Sequence, residues 1–338
     1  MKSETRNSSL PGRIAIIVLF LIFWMGFSAI VSEASGKPVS VGIAWSNVPD
    51  SYSYTSTIIA VKEAGATPVI LDMVKSYDLN YDKKGNLIDS KDEHGILTSR
   101  AAKLVKCNQW QNSNAAAVMK GIDCIIFPGG WDISPTLYYN EQPWHGIEVD
   151  SDYSAERDVS DYLLFSYCLE KNIPTLAICR GMQMLSIVSG AEIVQDIPRW
   201  FAKVGVEYTY QHRDRRKKGF RAHGIDILNQ DSLLFGIVGR GRIEGCPSWH
   251  HQAVRSVDAT RLVVTAVTDT NGIKVIEGIE RPDKKFVLGI QFHPEVAIRK
   301  ILDNEQDADQ YMDYVTVMKL FRALFDAGAE TLNHRRLH

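Results

Sequence analysis

Cys179 stands in the run Thr175-Leu176-Ala177-Ile178-Cys179-Arg180-Gly181. The four residues before it read as a short buried strand following the turn Asn172-Ile173-Pro174, and Met182 to Val188 reads as a helix closed by Gly190. A residue at such an elbow is pushed out above the sheet, where the first free amides of the helix favour an anion. A cysteine there is expected to act as a thiolate nucleophile. Gly181 suits a close strand–helix approach. The pattern mirrors the G-x-S-x-G elbow, with sulfur for oxygen and Ala177 for the first glycine. Taken alone, Cys179 reads equally as a buried structural cysteine.

A second group lies far downstream. Lys285 to Phe292 is a strand-like run leading into His293-Pro294-Glu295. Proline biases the preceding residue towards an extended backbone, and residues two apart on an extended chain face the same way. His293 and Glu295 are therefore expected side by side, as a base and its orienting carboxylate. Alone, the tripeptide also reads as a surface turn. A third group, Gly121 to Phe127, is a strand running into Pro128-Gly129-Gly130. Glycines there let backbone amides approach a developing oxyanion, and the amide of Arg180 is the second donor.

Alternating elements must position these groups. Val39–Trp45 and Thr67–Leu71 read as strands, with a helix at Ser53–Ala64 between them. Tyr77–Gly95 is polar and reads as an insertion or small hairpin turning at Asp82–Asn86. Ala115–Lys120 ends a helix, Ser154–Lys171 is another, and 200–222 is a loop-rich flap. Arg261–Val267 and Ile273–Ile279 are strands, and Asp307–Ala327 is a closing helix. Strands alternating with helices predict an α/β fold with a parallel sheet covered on both faces. No internal repeat or low-complexity segment stands out.

The chain resembles the class I glutamine amidotransferase-like hydrolases, and among them the gamma-glutamyl-gamma-aminobutyrate hydrolase type of gamma-glutamyl cysteine peptidase. The matching stretches are FPGGWDISPTLYY (127–139), ERD (156–158), IPTLAICRGMQML (173–185), QH (211–212), H (223), SWHHQAV (248–254) and VLGIQFHPE (287–295). They span roughly residues 38 to 327. The resemblance implies a flavodoxin-like, mostly parallel sheet flanked by helices and carrying a nucleophile elbow. It implies Cys179 as nucleophile, His293 as general base and acid, Glu295 as orienting carboxylate, and the amides of Gly130 and Arg180 as the oxyanion hole. Gln183 matches a position that helps hold a glutamyl group. Ser248, His250, His251 and Gln252 match the pocket rim, although Pro247 stands where the family often has asparagine. His250 and His251 read equally as packing or capping residues. Asp132 and Tyr138 are expected at the substrate's polar ends, and Glu156-Arg157-Asp158 in structural ion pairs.

The implied reaction is hydrolysis of a gamma-glutamyl amide through a thioester, releasing glutamate. The alternatives are a gamma-glutamyl hydrolase of polyglutamates, another amidase on this fold, or a binding protein that retains the fold without catalysis. No H-E-x-x-H, paired C-x-x-C or Walker loop occurs, so neither a metal nor an organic cofactor is expected. No synthase domain or nucleotide loop accompanies the cysteine, which favours hydrolysis over ammonia transfer. Net charge is −2, and the basic run Arg213–Lys218 has no aromatic interleaving. It reads as a solvated loop, with a small molecule and not nucleic acid as the partner. Oligomeric state is left open.

Residues 14–31 form an uncharged apolar run behind Lys2, Arg6 and Arg13. The run is expected to be a cleaved signal peptide or an uncleaved membrane anchor, making 1–35 a leader and 36–338 the hydrolase domain. Either predicts export from the cytosol. Five cysteines occur; with Cys179 free, Cys107, Cys124, Cys168 and Cys246 are open to disulfide pairing or to simple burial.

Overall fold

A computed structural model describes residues 38–144, 152–258 and 260–337. The apolar run 14–31 and the leader boundary lie outside the described residues. Among those described, no helix is long and apolar enough to cross a membrane.

The chain opens with β1 (Ser40–Ile43), α1 (Tyr52–Glu63), β2 (Thr67–Ile70), α2 (Ser99–Asn108), α3 (Ala115–Val118) and β3 (Cys124–Phe127). Next come α4 (Ala155–Glu170), β4 (Thr175–Ile178), α5 (Arg180–Val188), β5 (Glu192–Val194) and α6 (Ile197–Lys203). The remainder is β6 (Arg221–Ile227), α7 (Leu233–Val238), β7 (Arg242–Ser248), β8 (Ala253–Ser256), β9 (Val263–Thr270), β10 (Ile273–Glu280), β11 (Val287–Ile290), α8 (Pro294–Leu302) and α9 (Tyr314–Leu337).

The main sheet has the order β2-β1-β3-β4-β11-β10-β9-β6-β7. From β2 to β11 neighbouring strands are parallel; from β11 to β7 they are antiparallel. The fold is therefore α/β with a largely parallel central sheet, as expected, and an antiparallel extension. β5 and β8 form a separate antiparallel pair.

Strands covered on both faces read as continuous apolar runs, and β3, β4 and β11 are buried along their whole length. Alternate residues serve opposite layers. Phe127, Ala177 and Val287 join α4 and α5 in one core. Ile126, Leu176, Ile178 and Ile290 join α1, α8 and α9 in the other. The three strands end in register, with Phe127 beside Ala177 and Ile178 beside Ile290. Pro128-Gly129-Gly130, Cys179 and His293 thus emerge at neighbouring carboxyl ends, where open α/β sheets bind ligands.

Two expected elements differ. The closing helix starts at Tyr314 because Asp313 caps it, accepting from the Thr316 amide at 2.9 Å; residues Ala308–Gln310 form only a 3-10 turn. The 77–95 insertion contains a local repeat, contrary to expectation. Asp82 and Asp92 each accept an amide four residues on, closing matched turns at Gly85 and Gly95.

Candidate active site

Cys179 has φ +52° and ψ −107°, a conformation that side-chain-bearing residues avoid. Such strain costs on the order of 1–3 kcal/mol and persists only where the surroundings fix it. Here the Cys179 amide donates to the Ile290 carbonyl at 2.7 Å, and α5 begins at the next residue. A β-carbon at Gly181 would run into the Phe127 carbonyl, so glycine is what lets α5 lie this close to β3.

His293 donates its amide to the Pro247 carbonyl at 2.8 Å and places Nδ1 2.6 Å from Glu295 Oε1. The two side chains meet as expected, although by another backbone route. His293 caps α8 and Glu295 lies in its first turn. With Nδ1 engaged, Nε2 is left for Cys179, which shares the cavity wall with the ring. Burial disfavours the imidazolium, but Glu295 and Cys179 outweigh it and push the His293 pKa up to about 10. A β-carbon at Gly129 would sit 2.6 Å from His293 Cε1 and 3.5 Å from Cys179 Cβ, so a glycine closes the wall beside the pair.

The turn after β3 is held from behind. Arg157 Nη2 donates to the carbonyls of Pro128 (3.1 Å) and Gly129 (2.9 Å). Any β-carbon at Gly130 would overlap that guanidinium. Arg157 also faces Asp161 at 3.5 Å, and the Arg180 side chain pairs with Asp158 at 2.6 Å and with Asp161. Asp158 accepts from the Ser134 amide at 2.9 Å as well. All four charged side chains are buried, and each is paired, as buried charges must be. Burial raises the Asp158 pKa against the pull of Arg180 and Ser134. The ion pairs expected of 156–158 are present, with Glu156 on Lys91 at 2.6 Å. The grip of Arg157 on the turn is an addition that no local sequence signal announces.

Gly130 and Cys179 border a cavity of about 260 Å³. Of the other expected residues, Asp132, Gln183, His250, Gln252 and His293 line it. Arg180 and Glu295 do not line it: the Arg180 side chain pairs with Asp158, and Glu295 holds His293. Gln183 Nε2 donates to the Gln252 carbonyl at 3.3 Å. Asp132 Oδ2 is 3.1 Å from His251 Nε2, whose Nδ1 is 3.2 Å from Asp196. Burial works against charge on His251, but the two carboxylates prevail and its pKa is raised.

Three expectations need correcting. Ser248 is fully buried at the end of β7 and donates Oγ to the His212 carbonyl at 2.9 Å; it braces the flap and does not line the cavity. Tyr138 is buried with its hydroxyl 3.4 Å from the Ile133 carbonyl, away from the cavity. Arg213 is no solvated loop residue. It lines the cavity and lies 5.3 Å from the Trp249 ring centroid. Burial lowers its pKa, while Asp132, Asp152 and Asp196 act to raise it. Arg216, mostly exposed and paired with Asp214, fits the original reading. Phe220, Trp249, Ser51 and Trp131 also line the cavity; Trp131 and Trp249 fall within the matching stretches, whereas Ser51 and Phe220 carried no signal in the sequence.

Chain spacing gave no metal pattern, yet the fold gathers His212, His223, His250 and Glu277, with one candidate ligand atom from each lying within 4.8 Å of the others. All five cysteines are free; Cys107 is exposed and the other four are buried. Of the four left open, Cys124, Cys168 and Cys246 are therefore buried and unpaired, and Cys107 is exposed and unpaired.

The sequence profile of the peptidase C26 family matches residues 83–295. Over 186 residues the chain is 36% identical to the NtpR protein of Enterococcus hirae, covering 54% of this chain and 70% of that one. A glutamine amidotransferase-like protein of Rickettsia prowazekii is 29% identical over 252 residues, 65% of this chain and 82% of its own. A gamma-glutamyl-gamma-aminobutyrate hydrolase of Escherichia coli is 28% identical over 183 residues, 52% of this chain and 64% of its own.

Proposed function

Because the chain belongs to the peptidase C26 family, we propose that it is a cysteine hydrolase that cleaves gamma-glutamyl amides with Cys179, His293 and Glu295. The observation that carries this reading is the strained elbow at Cys179, in one cavity wall with an imidazole whose Nδ1 is held by a buried carboxylate at 2.6 Å. With its pKa raised to about 10, His293 rests as the imidazolium.

Cys179 Sγ attacks the gamma-carbonyl, and the amides of Gly130 and Arg180 receive the oxyanion. Loss of one such donor costs about 3–4 kcal/mol in other hydrolases. His293 gives its Nε2 proton to the leaving amine as the C–N bond breaks, leaving a gamma-glutamyl thioester. Water then attacks the thioester and passes a proton to His293, and glutamate and thiolate are released. Glu295 keeps the ring in one orientation through both transfers. At the cavity's far side, Arg213 supplies a cation for the substrate's α-carboxylate, and Asp132 an anion for its α-amino group. The cavity is small beside the 300 Å³ and more typical of drug-sized ligands, which suits a single glutamyl head with its leaving group outside.

The apolar run 14–31 supports translocation of the hydrolase body, and the N-terminal mass of the exported form tests that part. The reaction is tested by glutamate release from a panel of gamma-glutamyl amides: polyamine, amino-acid, peptide and polyglutamate derivatives. Release from the first three with little from the last supports the reading. Preference for polyglutamates would replace it with the folate-type alternative.

A further inference from the structure

We propose that His212, His223, His250 and Glu277 form a structural site for a first-row divalent cation of the zinc class, next to the catalytic pocket and sharing His250 with its wall. His212 comes from the flap between α6 and β6, His223 from β6, His250 from the turn after β7, and Glu277 from β10. All four side chains are more than nine-tenths buried.

The hydrogen bonds fix two of the rings. His250 Nδ1 is 2.8 Å from the Gln252 carbonyl, and His223 Nδ1 is 3.2 Å from the Gly224 carbonyl. A carbonyl only accepts, so Nδ1 carries the hydrogen in the His250 ring; Thr268 Oγ1 also lies 3.2 Å from His223 Nδ1, but its hydroxyl donates to the Gly224 carbonyl at 3.1 Å, which leaves Nδ1 the donor there as well and Nε2 a lone pair in each ring. Both lone pairs converge on Glu277 Oε1, at 3.6 Å from His250 and 3.8 Å from His223. His212 Nδ1 is 3.1 Å from the same oxygen. None of these contacts is aligned as a hydrogen bond: both Glu277 oxygens, both His212 nitrogens and the two Nε2 atoms have no partner. Lone pairs and a carboxylate facing one another out of water repel unless a positive charge lies between them.

A cation satisfies every one of these atoms that faces inward. Three imidazole nitrogens and a carboxylate make a donor set that zinc accepts at about 2.0–2.2 Å, and four protein ligands close the coordination sphere in the manner of a structural site. The Nδ1–H bonds to backbone carbonyls are the outer contacts that hold metal-ligating histidines in place. Tetrahedral zinc needs its ligand atoms about 3.3–3.5 Å apart. The present spread of up to 4.8 Å therefore contracts by about 1 Å on loading. The site ties the flap and the pocket rim to the sheet: Arg213 follows His212 and Gln252 lies two residues past His250.

The test uses the full-length chain, stripped with a chelator and shown to be folded by circular dichroism. Zn²⁺ is titrated and counted by elemental analysis, then replaced by Co²⁺ for visible spectroscopy. The expected result is one Zn²⁺ per chain and a four-coordinate Co²⁺ spectrum without a thiolate band. His223→Gln should weaken binding at least about tenfold, whereas Cys179→Ala should leave it unchanged. A folded chain that takes up neither metal overturns the proposal. So does uptake that survives His223→Gln undiminished or vanishes in Cys179→Ala. If His223→Gln does not fold, the wild-type stoichiometry and Co²⁺ spectrum decide. These readouts do not depend on any turnover, so they stand or fall apart from the proposed hydrolysis.

Discussion

In the proposed reaction His293 exchanges a proton twice in a turnover, and its neighbours set the terms. Its pKa is raised to about 10 by Glu295 and Cys179 against burial. A raised value means that the stability this group contributes is complete below its unfolded pKa of about 6.5 and is lost as the pH climbs through the folded one. In NMR titrations the His293 ring should stay imidazolium at pH 8. In Glu295→Gln and Cys179→Ser its pKa should fall; a value unmoved by both substitutions would mean that neither neighbour sets it. Arg213 offers a separate test. Arg213→Gln should raise KM for gamma-glutamyl amides at least about tenfold, with a smaller effect on kcat, because it removes a charge partner of the bound group. Equal KM values would take Arg213 out of substrate binding. Cys179, His293 and Glu295 were legible in the sequence because each ends or follows a short apolar run. Arg213 was not, because its burial comes from a flap with no periodicity, folded against Trp249.

At the scale of elements, the turn after β3 depends on α4. Arg157 holds the Pro128 and Gly129 carbonyls and thereby fixes which way the adjoining amides point. Arg157→Met loses both bonds to the turn. It should lower kcat by about 10²-fold with little change in KM, the signature of lost transition-state stabilisation. Comparable losses in both parameters would argue for general disorder instead. The start of α4 was readable because Ser154 caps it, accepting from the Arg157 amide. What the helix grips was not readable, since Pro128 and Arg157 come together only through the fold.

The main sheet joins a parallel half, whose ends lead into Cys179, His293 and the Pro128-Gly129-Gly130 turn, to an antiparallel half that bears His223 and Glu277. The parallel half was visible in the strand–helix alternation. The antiparallel half had a signal that passed unread: Asn271-Gly272, both at positive φ, makes the two-residue turn between β9 and β10. Leu176 lies fully buried in the central strand, and Leu176→Ala should cost about 2–5 kcal/mol in urea unfolding. A cost below 1 kcal/mol would mean that the core there collapses around the gap. With all five cysteines free, added reductant should leave the melting temperature unchanged. A drop would reveal a disulfide.

The central claim is that Cys179 carries a gamma-glutamyl group through a thioester. The most direct measurement is mass spectrometry of the full-length chain quenched in acid during turnover of a gamma-glutamyl amide, with glutamate release followed in parallel. A covalent gamma-glutamyl adduct on Cys179 is expected, absent in Cys179→Ala, whose glutamate release should fall by on the order of 10⁴-fold or more. Undiminished release from Cys179→Ala would contradict the claim.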